Sequence, residues 1–144
     1  MDLGKRLKMS MGWTVVLILG VVLLGAGYLR YRMGPRGLEM TAVQLLERLD
    51  SSDCVVLDVR SAREYRSGHI PGALHIPHST VAGRLDELGA HRGCNIVIYC
   101  ESGVRARIAQ NTLSKAGFRD VYHLVGDMAG WRRDSRAVET AAAP

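Results

Sequence analysis

The sequence predicts an α/β fold: an open parallel sheet of about five short strands with helices on both faces, preceded by one transmembrane helix. Three observations predict it. Short β-branched runs alternate with segments of helical period between residues 41 and 134. One of those runs, Asn95-Ile96-Val97-Ile98-Tyr99, passes through a tight loop straight into a helix. Finally, Gly12 to Leu29 is an uncharged apolar run.

The elements follow in order. Thr41 and Gln44 form a capping-box pattern ahead of Val43, Leu45, Leu46 and Leu49, an amphipathic helix. Residues 54–59, Cys-Val-Val-Leu-Asp-Val, read as a buried strand. Ser61 and Glu64 make a second capping box, for a short helix ending near Gly68. His69-Ile70-Pro71-Gly72 turns into a strand from Ala73 to Ile76, stopped by Pro77. Ser79 or Thr80 is expected to cap a helix through Leu88, and 95–99 is the next strand. Ile108, Ala109, Thr112, Leu113 and Ala116 recur at helical spacing, with Gly117 as the stop. A strand at Val121–Val125 and a helix from Asp127 through Trp131 complete the series. Strands alternating with helices require right-handed crossovers and a parallel sheet covered on both faces. The organisation expected is a tail at 1–11, a membrane helix at 12–29, a linker at 30–40, a folded domain at 41–134 and a flexible tail at 135–144.

The basic balance of the chain is local. Residues 1–36 hold six Lys and Arg against Asp2, a net of +5, whereas residues 37–144 hold 13 basic and 13 acidic residues. The excess flanks the apolar run, which points to a membrane surface and away from nucleic acid. Eighteen residues at about 1.5 Å each approach the ~30 Å hydrocarbon thickness, with Trp13 and Tyr28 at the ends where amphipathic rings favour the interface. The competing reading is a cleaved signal peptide, with Lys5, Arg6 and Lys8 as its basic region and Gly25-Ala26-Gly27 as a small-residue site. The expected localisation is single-pass in a membrane. Three basic residues on each side give orientation no vote, and placement of the domain on the cytoplasmic face rests on free thiols suiting a reducing compartment. Cys54, Cys94 and Cys100 form neither a disulfide framework nor a zinc pattern. Cys54 reads as a packing residue, and Cys94 as a bystander or a resolving thiol.

Chemistry concentrates in Cys100-Glu101-Ser102-Gly103-Val104-Arg105. Cys100 stands at the carboxyl end of a strand, where open α/β sheets bind ligands. The following helix N-terminus, the loop N–H groups and Arg105 all favour an anion, so Cys100 reads as a thiolate nucleophile. Asp58 and Arg60 are expected to pin the loops through a buried pair. His69 reads as a turn-fixing residue, His75, His78, His91 and His123 lack ligand spacing, and Trp131 reads as packing.

Asp58-Val59-Arg60, Glu64-Tyr65 and Gly68-His69-Ile70-Pro71-Gly72-Ala73 resemble the first signature of rhodanese domains; Cys100-x-x-Gly103-x-Arg105 resembles their active-site loop, and Gly126 with Gly130-Trp131 their closing signature. In layout the chain is similar to small bacterial proteins of the single-domain thiosulfate sulfurtransferase type with one N-terminal helix, which implies a bacterial inner membrane. The resemblance implies transfer of sulfane sulfur from thiosulfate or a persulfide, through a Cys100 persulfide cradled by residues 101–105, to a thiol or cyanide. It implies neither a metal nor an organic cofactor. Related phosphatases use a loop one residue longer and a His before the cysteine; here four residues separate Cys100 from Arg105, and Tyr99 precedes the thiol. Two departures stand out. Glu101 places a carboxylate beside the nucleophile, which should raise the Cys100 pKa and disfavour dianionic thiosulfate. Asp127 stands where relatives commonly carry glycine. The alternative reading is a non-catalytic module that tethers a partner at a membrane.

Overall fold

In a computed structural model the described residues are 16–25, 37–49 and 54–141. The chain divides into two units, Met1–Arg36 and Gly37–Pro144. In the first, residues 16–25 form helix α1. Among the described residues no helix is long and apolar enough to cross a membrane. This overturns the single-pass membrane localisation expected from a transmembrane helix at 12–29, and neither that helix nor the membrane as a partner finds support among the described residues. The rest of that apolar run lies outside the described residues.

The second unit is built on β1 (Leu38–Met40), β2 (Cys54–Asp58), β3 (Leu74–His75), β4 (Asn95–Tyr99) and β5 (Val121–Leu124). All pairings are parallel, in the spatial order β1-β5-β4-β2-β3. Helices α2 (Ala42–Leu49), α3 (Ala62–Ser67), α4 (Val104–Lys115) and α5 (Asp127–Arg133) connect and cover them. The period-2 alternation of β4 sorts the core into two layers. Ile96, Ile98 and Cys100 pack with Ala106, Ala109 and Leu113 of α4, and with Val81 and Leu88. Val97 and Tyr99 face the other way, onto Leu45 of α2 and Met128 and Trp131 of α5.

The chain runs outward from β2 to β3 and then returns through β4 to β5, so the winding reverses between β2 and β4. A parallel sheet with such a switch point opens a crevice at its carboxyl edge. Asp58 ends β2 there with Arg60 two residues on, and Cys100 directly follows β4.

Four expectations need correction. Leu38–Met40, placed in the linker, is an edge strand registered on Tyr122–Leu124; three residues with one buried side chain carry no period to read. The helix expected from Ser79 or Thr80 is a pair of 3₁₀ turns, Val81–Gly83 and Leu85–His91. Thr80 makes no side-chain cap and its hydroxyl donates to the Pro77 carbonyl at 3.0 Å, while Gly83 and Gly89 weaken a continuous helix. The strand expected at Ala73–Ile76 keeps only Leu74–His75. Lastly, part of the tail expected to be flexible is docked: Glu139 and His69 exchange backbone hydrogen bonds at 2.9 Å, and Trp131 Nε1–H donates to the Ala137 carbonyl at 2.8 Å.

Leu45 is fully buried between α2 and the sheet, whereas Val43 on the same helix is 56% exposed. Leu45→Ala should therefore cost about 2–5 kcal/mol, read as a lower urea midpoint at unchanged slope, and Val43→Ala should stay within about 0.5 kcal/mol of the parent.

Candidate active site

The site is assembled by the crossover from β4 to α4. After Tyr99 the chain bends through Cys100, Glu101 and Ser102, and Gly103 takes a left-handed φ of 98° before α4 starts at Val104. Only glycine suits that position, because a Cβ there would stand 3.0 Å from Asp127 Oδ2 and 3.3 Å from His123 Cε1. The resulting curl brings the Gly103 N–H to 3.1 Å from Cys100 Sγ. Cys100 itself is 1% exposed. The first-turn N–H groups of α4 have no intrahelical acceptor, so this end of the helix is electropositive toward the sulfur.

Arg105, one residue into α4, is held by Glu64 of α3 in a two-pronged bridge, Nη1 to Oε2 at 2.8 Å and Nη2 to Oε1 at 2.7 Å. Its guanidinium is stabilised beyond the ordinary range, first by Glu64 and further by the sulfur of Cys100. Glu64 is the same residue that closes the capping box, accepting from the Ser61 N–H at 3.0 Å and the Ser61 hydroxyl at 2.6 Å. With Arg105 as the leading cause, its carboxyl is held well below the usual carboxylate range.

Asp58 and Arg60 form the expected buried pair. Arg60 Nη2 donates to Asp58 Oδ2 at 2.6 Å and to the Gly68 carbonyl at 2.8 Å, and its Nη1 lies 3.4 Å from Glu101 Oε2. Burial alone would lower the Arg60 pKa, but the hydrogen bonds and charge of Asp58 outweigh it and raise it. Arg132 of α5 takes the other side of Glu101, at 3.1 and 3.2 Å. The Glu101 carboxylate is thus bound to two guanidinium groups instead of bearing on Cys100 alone, and the partner of Arg105 is Glu64, not Glu101.

The structure brings Cys100, Gly103 and Arg105 together and links Asp58, Arg60 and Glu101 beside them. Ser102 is exposed and Val104 is 60% exposed, so these two offer backbone rather than side chain. Tyr99 turns to the opposite face, where its hydroxyl accepts from the Ile70 N–H at 3.0 Å. His69 fixes the turn: its ring stacks on Tyr65 at 3.7 Å, and Nδ1 lies 2.9 Å from the Tyr65 carbonyl. Sequence reasoning missed Glu64 and Arg132 at the site, as well as Asp127 and His123 beneath the loop. Glu64 carried a signal, but it was fully explained by capping.

A rhodanese-like domain pattern matches residues 41–134. The chain belongs to the rhodanese-like domain family. Among curated relatives it is 37% identical over 94 residues to a candidate sulfur carrier protein, YrkF of Bacillus subtilis (strain 168), covering 65% of this chain and 50% of that protein. It is 34% identical over 102 residues to the tRNA uridine(34) hydroxylase of Salmonella newport (strain SL254), covering 68% of this chain and 29% of the other. The rhodanese-like chain thus spans half or less of the length of these relatives. Among solved structures, the human single-domain sulfurtransferase TSTD1 superposes with a TM-score of 0.61 at 26% identity, over 67% of this chain and 96% of that one. Among the described residues no group of three His, Cys, Asp or Glu converges to hold a metal ion.

The Glu64–Arg105 bridge predicts an acid dependence. A carboxyl held below its ordinary value of 4.5 contributes stability that is fully present above that value and is lost progressively as pH falls from there toward the depressed folded value. Glu64→Gln should be less stable than the parent at neutral pH, and the gap should narrow as a urea titration series descends below pH 4.5. A gap independent of pH would show that the bridge contributes nothing.

Proposed function

We propose that this chain moves sulfane sulfur through a persulfide on Cys100. The observation that carries the reading is the Gly103 N–H at 3.1 Å from Sγ, at the N-terminus of α4, with Arg105 as the next cation. The Cys100 thiolate attacks the outer sulfur of a persulfide R–S–SH; the S–S bond breaks, R–S⁻ leaves, and Cys100 carries –S–SH. An acceptor thiolate then attacks that outer sulfur, takes it as R′–S–SH and regenerates the Cys100 thiolate. With thiosulfate as donor the leaving group is sulfite, and with cyanide as acceptor the product is thiocyanate. Asp58 and Arg60 support the loop from β2. The sulfur-carrier and sulfurtransferase descriptions of YrkF and TSTD1 favour the same chemistry.

The donor class follows from charge. Arg60 has Asp58, Arg105 has Glu64, and Arg132 has Glu101. A dianion would have to displace one of these carboxylates, whereas a persulfide with a single charge or none need not. A small-molecule or protein persulfide is therefore the preferred donor over thiosulfate.

Treating the full chain with glutathione persulfide and weighing the intact protein should show an adduct of about 32 Da, one sulfur atom. The adduct should vanish in Cys100→Ser and survive in Cys54→Ser and Cys94→Ser. No adduct from persulfide or thiosulfate would remove the reading. In parallel, Glu101→Ala should raise the thiosulfate loading rate relative to persulfide by roughly fivefold, the size of a partly exposed charge interaction near 1 kcal/mol. An unchanged ratio would show that carboxylates do not select the donor.

A further inference from the structure

The sulfur-holding loop rests on a support that the sequence presents only as a turn. Gly126 and Asp127 are both left-handed, with φ of 87° and 53°, and Asp127 is buried. Its Oδ1 accepts from the Cys100 N–H at 2.9 Å, and its Oδ2 lies 2.9 Å from His123 Nε2. Because the carboxylate only accepts, the ring is the donor in that contact. His123 is itself buried, and its Nδ1 has no partner among the described residues, so Asp127 is the group that engages this ring.

Two further bonds fasten the same loop to α5. The Cys100 carbonyl accepts from the Met128 N–H at 3.0 Å, and the Glu101 carbonyl from the Ala129 N–H at 3.2 Å. A trans peptide aims its N–H opposite to its C=O. With both carbonyls tied to α5, the N–H groups of Glu101 and Ser102 turn away from that helix. Cys100 packs in the layer on the α4 side of the sheet, while Met128 and Trp131 of α5 belong to the other. Those N–H groups therefore turn to the side of Sγ, where the Gly103 N–H already is. Oδ2 of Asp127 and the ring of His123 also close the space beneath Gly103.

We propose that Asp127, oriented by His123, is a positioning residue that aims the loop N–H groups at the Cys100 sulfur. The proposal rests on the sulfur-transfer reading for its purpose, but its geometry can be tested without any sulfur donor. The discriminating fact is a sign. Removing the negative charge of Asp127 by itself favours a thiolate on Cys100, whereas releasing the loop removes donors that stabilise one. If Asp127 acted only through charge, both Asp127→Asn and Asp127→Gly would speed alkylation of Cys100 by iodoacetamide at neutral pH. A positioning role predicts a split. Asp127→Asn keeps an oxygen for the Cys100 N–H and should react as fast as the parent or faster. Asp127→Gly suits the left-handed backbone and keeps the fold, yet should react about tenfold more slowly, the effect of losing about 1.4 kcal/mol of thiolate stabilisation.

The amide proton of Cys100, followed by NMR in the full chain, reads the hydrogen bond directly. It should move upfield in Asp127→Gly and in His123→Phe and stay near its parent position in Asp127→Asn. Persulfide loading should fall in the same order as alkylation. Equal or faster alkylation in Asp127→Gly with an unmoved Cys100 amide overturns the proposal. Failure of sulfur loading in the parent, with the alkylation split intact, overturns the sulfur-transfer reading and leaves the positioning role standing.

Discussion

One buried cation organises the carboxyl edge of the sheet. Arg60 is 0% exposed and binds Asp58 at the end of its own strand, the Gly68 carbonyl at the end of α3, and Glu101 in the Cys100 loop. Its guanidinium also lies 5.5 Å from the centre of the Tyr99 ring, and its carbonyl is 3.0 Å from His75 Nε2. Four segments thus meet at one side chain, and β3 meets its backbone carbonyl. A guanidinium so buried is tolerable only because Asp58 and the Gly68 carbonyl occupy its donors; breaking such a pair from one side typically costs about 3–5 kcal/mol. The position of the Cys100 loop relative to β2 and α3 depends on it.

From that anchor the charge distribution around the thiol becomes intelligible. Arg60, Arg105 and Arg132 stand near the loop, and each guanidinium is matched by Asp58, Glu64 or Glu101. The contact at the sulfur itself is a backbone N–H, that of Gly103, which stabilises an anion without adding a mobile counter-ion. A single sulfur bearing one charge fits this arrangement. A dianion has to compete with built-in carboxylates for the same guanidinium groups.

Much of this was legible in the sequence, for reasons that can be named. The run 95–99 has alternation and β-branching, the following helix has period, and Gly103 and Gly117 mark the turns, so β4, the Cys100 loop and α4 could be placed. The Asp58–Arg60 pair is local, two residues apart. The Glu64–Arg105 bridge is not, spanning 41 residues, and the local role of Glu64 in capping explained it completely. Asp127 was readable as a residue that tolerates a left-handed turn, but its partners, Cys100 and His123, are set by the pairing of β4 with β5. β1 was too short to show a pattern. The apolar run at 12–29 misled in the opposite way: hydropathy measures composition, while a membrane span requires a continuous apolar helix of sufficient length, and no helix among the described residues meets that requirement.

The most direct test of the account is a crystal structure of the full chain after treatment with glutathione persulfide. The account predicts one additional sulfur atom on Cys100 Sγ, within hydrogen-bonding distance of N–H groups from residues 101–105, with the Glu64–Arg105 and Glu101–Arg132 pairs still closed. Sulfur carried on Cys54 or Cys94, or a Cys100 that stays unmodified in a chain that has turned over donor, would contradict it.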